Sequence, residues 1–398
     1  MDNKVNQISY IFIYLVYSSV FVFLNNYFPI LFLDVLDVNR ILLAFMQLLA
    51  YSILLLRPAF AAITDRYRIN GYQRKYYIIV SGYLLAIFYI LMGFTFNNII
   101  IFGLLLFFIF LLITMLDVST KSLIIDTSPS KERQKKAFFF IAVGQSLGKS
   151  LPMFLYIVLM NDIYSINSWR IFFFYSYLLL IPLMSILPFI SEMKQRESQF
   201  IEDCDNFAFS HSDDTENNPN FKTIIVLLCI FVFFAFSDII FAYPFFPFLL
   251  SKFGSNKFNL FNFFLIFYFL ISIMSSAIGT FFIKRIRPKK IILILIPIIG
   301  SIYILYVFVD FIFFIFLYFI GSSLGIITNL NISVFIMKFG KGNKSIYFHL
   351  IASFKNLSFF IFLPLGTLLS NFISTEYIII IGAVLLSLCI IPLIFIKL

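Results

Sequence analysis

The sequence predicts an all-α polytopic membrane bundle of twelve transmembrane helices in two six-helix halves. Three observations predict it: an oily composition, apolar runs of bilayer-spanning length, and a one-sided distribution of cations. Hydrophobic residues make up 62% of the 398 residues and charged residues 12%, with a mean hydropathy of +1.01. A soluble domain carries about twice that charged fraction. The 58 Phe and 22 Tyr recur from end to end. Apolar surface this widespread does not belong to one buried core, so lipid is the solvent for most of the chain.

A helix needs about 20 residues to cross the hydrocarbon. Apolar runs of that length fall at about 8–33, 41–63, 76–94, 99–125, 137–160 and 171–190. A second set falls at about 223–250, 258–283, 291–309, 311–337, 346–370 and 376–396. Only Asp310 divides the ninth run from the tenth, but one span over 291–337 would be 47 residues long. The first run, starting near Ile8, serves as first span and insertion signal, with no cleavable leader expected.

Residues 1–190 form the first six-helix half and 223–398 the second. Between them, 191–222 is an acidic segment with Glu192, Glu197, Glu202, Asp203, Asp205, Asp213, Asp214 and Glu216. It cannot bury enough apolar area to fold and is expected to be a flexible cytoplasmic linker. Six spans, a linker and six spans is the gross plan of the major facilitator fold, whose halves rock about a central site. With the N-terminus inside, 21 Lys and Arg fall in cytoplasmic segments and four, Arg40, Arg170, Lys252 and Lys257, on the opposite side. That asymmetry puts both termini in the cytoplasm. Which cellular membrane holds the protein is left open.

The same distribution excludes a nucleic-acid surface, because the cations behind the +10 net charge sit in short loops between apolar runs. Cys204, Cys229 and Cys389 support neither a disulfide frame nor a zinc site. No cofactor and no metal are expected. A membrane-embedded enzyme needs His or paired carboxylates near the interface. Here His211 lies in the linker and His349 opens the eleventh run, with no HxxxD, HExxH or DxD pattern. A channel is disfavoured by the lack of a Gly-rich filter and by the self-contained six-and-six layout. The expectation is a monomeric, lipid-embedded solute carrier, not an enzyme.

The most specific local signal is Arg57-Pro58-Ala59-Phe60-Ala61-Ala62-Ile63-Thr64-Asp65-Arg66, followed by Gly71-Tyr72-Gln73-Arg74-Lys75. An acid at a helix end faces a basic cluster before the next helix, so Asp65, Arg66, Arg74 and Lys75 make a candidate conformational latch. The plainer alternative is that any such loop carries Lys and Arg. A second stretch is Asp117-Val118-Ser119-Thr120-Lys121-Ser122-Leu123-Ile124-Ile125-Asp126 in the fourth span. Together these segments resemble the folate–biopterin transporter family, whose members show a KPLYG-like segment, an S-D pair and G-Y-R-R before the third span. Arg57-Pro58, Phe60, Thr64-Asp65, Gly71-Tyr72 and Arg74-Lys75 match in the first stretch, Asp117 and Asp126 in the second. Arg57 stands where the family has Lys, Ala61 for Gly, Gln73 for Arg, and Lys121 for an acid. The resemblance implies proton-coupled transport, symport or exchange, of a folate or pterin. Another small solute, such as a sugar, an amino acid or a drug, is the alternative; against a sugar, the spans are poor in polar residues and Trp169, the one tryptophan, sits at a loop edge.

Ionised groups inside lipid mark functional sites. Arg57, Asp117, Lys121, Lys149, Asp238 and Lys355 qualify, with Asp126 nearer the interface as a helix-end carboxylate. Asp117 and Lys121, four apart, share one helix face; they form either a self-neutralising pair or a switch whose partner a ligand competes away. Lys149 lies in Gly144-Gln145-Ser146-Leu147-Gly148-Lys149-Ser150, one residue short of a phosphate loop and with no preceding strand, so nucleotide binding is rejected. Arg57, Lys121, Lys149 and Lys355 are the candidate substrate-binding cations, suited to an anionic solute. Asp117 and Asp238 are the candidate proton-coupling carboxylates, and a structural Asp238–Lys355 pair is the competing reading. These charges are expected to surround one shared watery chamber.

Overall fold

The computed structural model describes residues 4–95, 98–127, 131–159, 165–192 and 245–337, and, in the last part of the chain, 353, 356–357, 360–362, 364–370, 372–388 and 390–395. Helices dominate the described residues. The first half begins with α1 (Lys4–Val22), which runs on through a π turn (Phe23–Tyr27), a short α segment (Phe28–Ile30) and a second π turn (Leu31–Val35). Then follow α2 (Arg40–Arg66), α3 (Lys75–Thr95), α4 (Ile99–Thr127), α5 (Lys131–Leu159) and α6 (Ile166–Phe189). The second half contributes α7 (Phe245–Phe253), α8 (Ser255–Ile266), α9 (Tyr268–Arg285), α10 (Pro288–Phe308), α11 (Phe311–Met337), α12 (Phe360–Leu369), α13 (Thr375–Leu388) and α14 (Ile390–Phe395).

Among the described residues, six helices are long and apolar enough to cross a membrane, or seven if the bent pair within α8 and α9, meeting at 46°, is one span. α1, α12 and α13 are shorter apolar helices. The expected seventh run falls largely outside the described residues, and the eleventh is described only in part. The expected break between runs nine and ten is present: the Phe313 amide donates to Asp310 Oδ1 at 3.0 Å, an N-cap that starts α11. Asn39 and Asn98 cap α2 and α4 in the same way, accepting from the amides of Ile41 at 2.8 Å and Ile100 at 3.2 Å.

The outer surface is oily. On α2, Ile41, Phe45, Leu49, Leu56 and Ile63 are exposed while Leu43, Met46, Gln47, Ala50, Tyr51 and Leu54 are buried. A water-facing helix would reverse that choice. The core of the first half is aromatic: Tyr27 and Tyr156 rings lie 4.6 Å apart, and Phe23 and Phe173 4.9 Å. Trp169, expected at a loop edge, is wholly buried in this cluster.

α1 and α5 approach closely: a Cβ added at Gly144 would lie 2.4 Å from the Ile11 carbonyl oxygen, and one at Gly148 2.2 Å from that of Leu15. Only hydrogen fits at these positions, which lets the backbones touch. Ser19 Oγ donates to the Gly148 carbonyl at 2.9 Å across the same seam.

Among the described residues the halves meet along two seams. On one, α5 packs on α8 and α9, with Ser146 Oγ and Ser272 Oγ at 2.5 Å. On the other, α2 meets the eleventh run: Arg40 donates to the Ser370 carbonyl at 3.0 Å, Thr367 Oγ1 to Gln47 Oε1 at 3.0 Å, and Asn356 Nδ2 to the Leu54 carbonyl at 3.1 Å.

Candidate functional site

Asp117 lies nine residues before Asp126 on α4, and Arg57 nine before Arg66 on α2. At a rise of ~1.5 Å per residue each is about 14 Å from its helix end, near the middle of a hydrocarbon core about 30 Å thick. Tyr14, ten residues into α1, reaches the same level. Three helices thus bring their polar side chains to one depth.

They converge on the Asp117 carboxylate. Arg57 Nη2 lies 2.8 Å from Asp117 Oδ2, and Lys121 Nζ 2.9 Å from Oδ1. The Tyr14 hydroxyl donates to Oδ1 at 2.7 Å. Arg57 also donates to the Tyr17 hydroxyl at 3.4 Å. Lys121 Nζ sits 5.8 Å from the centre of the Tyr14 ring, within the range of a cation–π contact. One carboxylate therefore faces two cations, which leaves one positive charge in excess. Arg57 Nε is buried and has no acceptor among the described residues. Side-chain exposure rises from 0% at Asp117 through 7% at Arg57 to 16% at Lys121. Lys121 is the least enclosed of the three.

Lys149 sits elsewhere, on the seam between halves. It is half-buried, its Nζ 5.6 Å from the centre of the Tyr268 ring, with no carboxylate partner among the described residues. α1 separates it from the first cluster: Tyr14 reaches Asp117, while Leu15 and Ser18 touch Gly148, the residue before Lys149. Asp238 and Lys355 lie outside the described residues.

The expected common chamber is not seen among the described residues. A small cavity in the first half is lined by Val16, Val20, Phe23, Tyr89, Pro152 and Phe172, with Ser19, Ser176 and Leu180, and by no charged residue.

The candidate latch is built from more residues than the motif named. Ile69 and Tyr72 exchange backbone hydrogen bonds at 2.9 and 3.0 Å around Asn70-Gly71, both with positive φ, 53° and 80°. This tight turn folds the chain back, so that Arg74 binds Asp65 and Thr64. Its Nε also donates to Asp126 Oδ2 at 3.2 Å. Glu192, from beyond α6, accepts the backbone amides of Gln73 at 3.1 Å, Arg74 at 3.0 Å and Lys75 at 2.7 Å. A carboxylate here satisfies the orphan donors at the start of α3 and complements its dipole. Of the four candidate latch residues, Asp65 and Arg74 pair. Arg66 lies over the Tyr67 ring at 5.9 Å and Lys75 over Tyr72 at 5.5 Å.

Sequence reasoning did not find Glu192 or Tyr14. Glu192 is the second residue of the segment expected to be a flexible linker, yet it and Ser191 are held against the first half, where the Ser191 amide donates to Asn6 Oδ1 at 2.9 Å. The Asn-Gly turn signal at 70–71 was the local cue that Arg74 doubles back toward Asp65.

No protein-family profile matches the chain, and no curated protein matches its sequence. Solved structures do. The chain is similar to the crystal structure of a D-xylose-proton symporter, with a TM-score of 0.72 and 14% identity over 96% of this chain and 95% of that one. It is also similar to a mutant of the nucleoside transporter NupG, with a TM-score of 0.67 and 13% identity over 99% and 98% of the two chains. The protein is an all-α, polytopic integral membrane protein. Its fold is that of these two solved structures, over nearly the whole chain.

Proposed function

We propose that the chain is a secondary carrier that moves a small organic anion by alternating access. The observation that carries this reading is the buried cluster of two cations on one carboxylate at mid-membrane depth. Asp117 holds Arg57 and Lys121 between cycles, and an anionic group of the solute competes for them. The buried Arg57 Nε and the exposed edge of Lys121 give that group donors to approach. Lys149 and Lys355 add cations at the seam and in the eleventh run. Asp117 and Asp238 take the proton-coupling role, and Asp65 with Arg74 acts as the latch at the end where Lys and Arg cluster. That clustering supports cytoplasmic termini.

Within this class a folate is the first candidate. The segments around Arg57 and Asp117 resemble the folate–biopterin family, and the carboxylates of a folate suit cations better than a neutral pterin does. The alternative is a carrier of another small solute. Its support is that the two structural neighbours bear the names of a xylose symporter and a nucleoside transporter. The test is uptake of labelled folate, pterin and xylose into proteoliposomes under a pH gradient. The reading expects folate to accumulate, and the accumulation to collapse in Asp238→Asn. Accumulation of xylose alone would transfer the assignment to the alternative. Unchanged gradient-driven uptake in Asp238→Asn would remove that residue from coupling.

A further inference from the structure

An aromatic layer adjoins the ion cluster. Tyr17 is three residues from Tyr14 on α1, and its hydroxyl accepts from Arg57 at 3.4 Å. Phe21 follows one turn later, its ring within 8° of parallel to that of Tyr17 and 6.0 Å away. Phe21 in turn meets Tyr51 of α2 at 6.5 Å and Phe110 of α4 at 6.1 Å, edge to face. The three helices that build the ion cluster therefore build the ring layer too. Helical rise puts Tyr17 about 4.5 Å and Phe21 about 10 Å from the level of Tyr14. Phe110, seven residues before Asp117, falls at the Phe21 level.

Two of these rings keep an open face. Tyr51 and Phe110 are 2% and 1% exposed, whereas Tyr17 and Phe21 are half-buried. That open face is not turned to lipid. Ile8, 46% exposed, marks the lipid side of α1, and the nine residues from it to Tyr17 make two and a half turns, which puts Tyr17 opposite. The tighter stack of Tyr27 on Tyr156, at 4.6 Å, has no open face, because both rings are buried. Beside the half-open pair, Arg57 Nε is buried without an acceptor among the described residues. An open ring face and an unused guanidinium donor lie side by side.

We infer that the solute is an aromatic acid whose carboxylate sits about 5–10 Å from the centre of one ring, and that Tyr17 and Phe21 hold that ring. The inference rests on the anion-carrier reading above and adds which part of the solute is recognised. The carboxylate takes the unused Arg57 donor, and the ring lies against Tyr17 and Phe21. A ring gains an offset or edge-on contact there that an aliphatic group of the same size does not. The spacing also selects among rings. In a folate the benzoyl ring is next to the carboxylate-bearing unit, and the pterin lies beyond it. A carboxylate at Arg57 therefore brings the benzoyl ring, not the pterin, onto Tyr17 and Phe21.

The test is calorimetric titration of the purified full chain with benzoylglutamate, cyclohexanecarbonylglutamate and pterin-6-carboxylate, with folate alongside. The first two acids carry the same charges and differ only in the ring. The inference predicts that the benzoyl acid binds about three- to tenfold more tightly than the cyclohexane acid, and more tightly than pterin-6-carboxylate. Phe21→Leu keeps an apolar side chain; it should abolish the preference for the benzoyl acid and leave the cyclohexane acid unchanged. Tyr17→Phe keeps the ring and should keep the preference. Should Phe21→Leu not fold, the matched pair of acids on the parent protein decides. Equal binding of that pair overturns the ring site and leaves the anion carrier standing. Tighter binding of pterin-6-carboxylate overturns the choice of ring. If none of the acids binds, folate included, the anion-carrier reading and this inference fall together.

Discussion

Arg57 of the second span and Asp117 of the fourth meet at 2.8 Å with side chains 7% and 0% exposed. They are 60 positions apart in sequence, and their contact turns two isolated intramembrane charges into one site. Removing one partner of a buried pair leaves the other uncompensated. Asp117→Asn should therefore lower unfolding stability in detergent by roughly 3 kcal/mol. Lys121→Gln should cost less, because that ammonium keeps 16% exposure. Equal losses would contradict the argument that the partial exposure of Lys121 softens its loss.

The α1–α5 crossing makes a steric prediction. Gly148→Ala puts a methyl 2.2 Å from the Leu15 carbonyl oxygen, which is backbone and cannot rotate away. Overpacking of this kind costs roughly 1–3 kcal/mol, read as a lower melting temperature. Gly325→Ala is the control, since nothing lies within 4 Å of its added methyl, and it should be neutral.

Glu192 predicts a local change. In Glu192→Ala the amides of Gln73, Arg74 and Lys75 lose their carboxylate acceptor. Hydrogen exchange at those three amides should accelerate, with the middle of α3 unaffected. Unchanged protection would show that the carboxylate does not hold this helix start.

Asp126 lies beyond the apolar span Ile99–Ile124, and it gives the latch a pH signature. Burial pushes its carboxyl above the ordinary 3.8; Asp65 and Glu192 add to the rise and Arg74 opposes it. A carboxyl raised in the folded state keeps its proton longer than in the unfolded chain. Its contribution is complete below 3.8 and is lost as pH rises through the folded value. As pH rises above 3.8, Asp126→Asn should lose less melting temperature than the parent protein. Identical slopes would contradict the assignment.

Much of this was legible before the structure, and the failures have physical causes. Asp117 with Lys121 is a helix-face relation, and spacing alone gives it. Asp310 as a break between spans follows from the length limit of a bilayer. That Arg57 and Tyr14 join Asp117 depends on three helices converging, which no local pattern encodes. Glu192 was hidden by its neighbours, because composition assigns the whole acidic stretch to a linker. The fixed position of its first two residues comes from partners far away, Asn6 and the start of α3. The shared chamber was inferred from the cost of buried charge; Arg57 and Asp117 meet that cost by pairing, and Asp238 and Lys355, two of the charges expected around it, lie outside the described residues.

The central claim is that the cation excess at Arg57 and Lys121 receives an anionic solute. The most direct measurement is the affinity of purified protein for folate and for neutral pterin, in the parent and in Lys121→Gln. Loss of one charge-assisted contact should weaken folate by at least about tenfold and leave pterin unchanged. Equal weakening of both ligands, or folate binding untouched by the substitution, would contradict it.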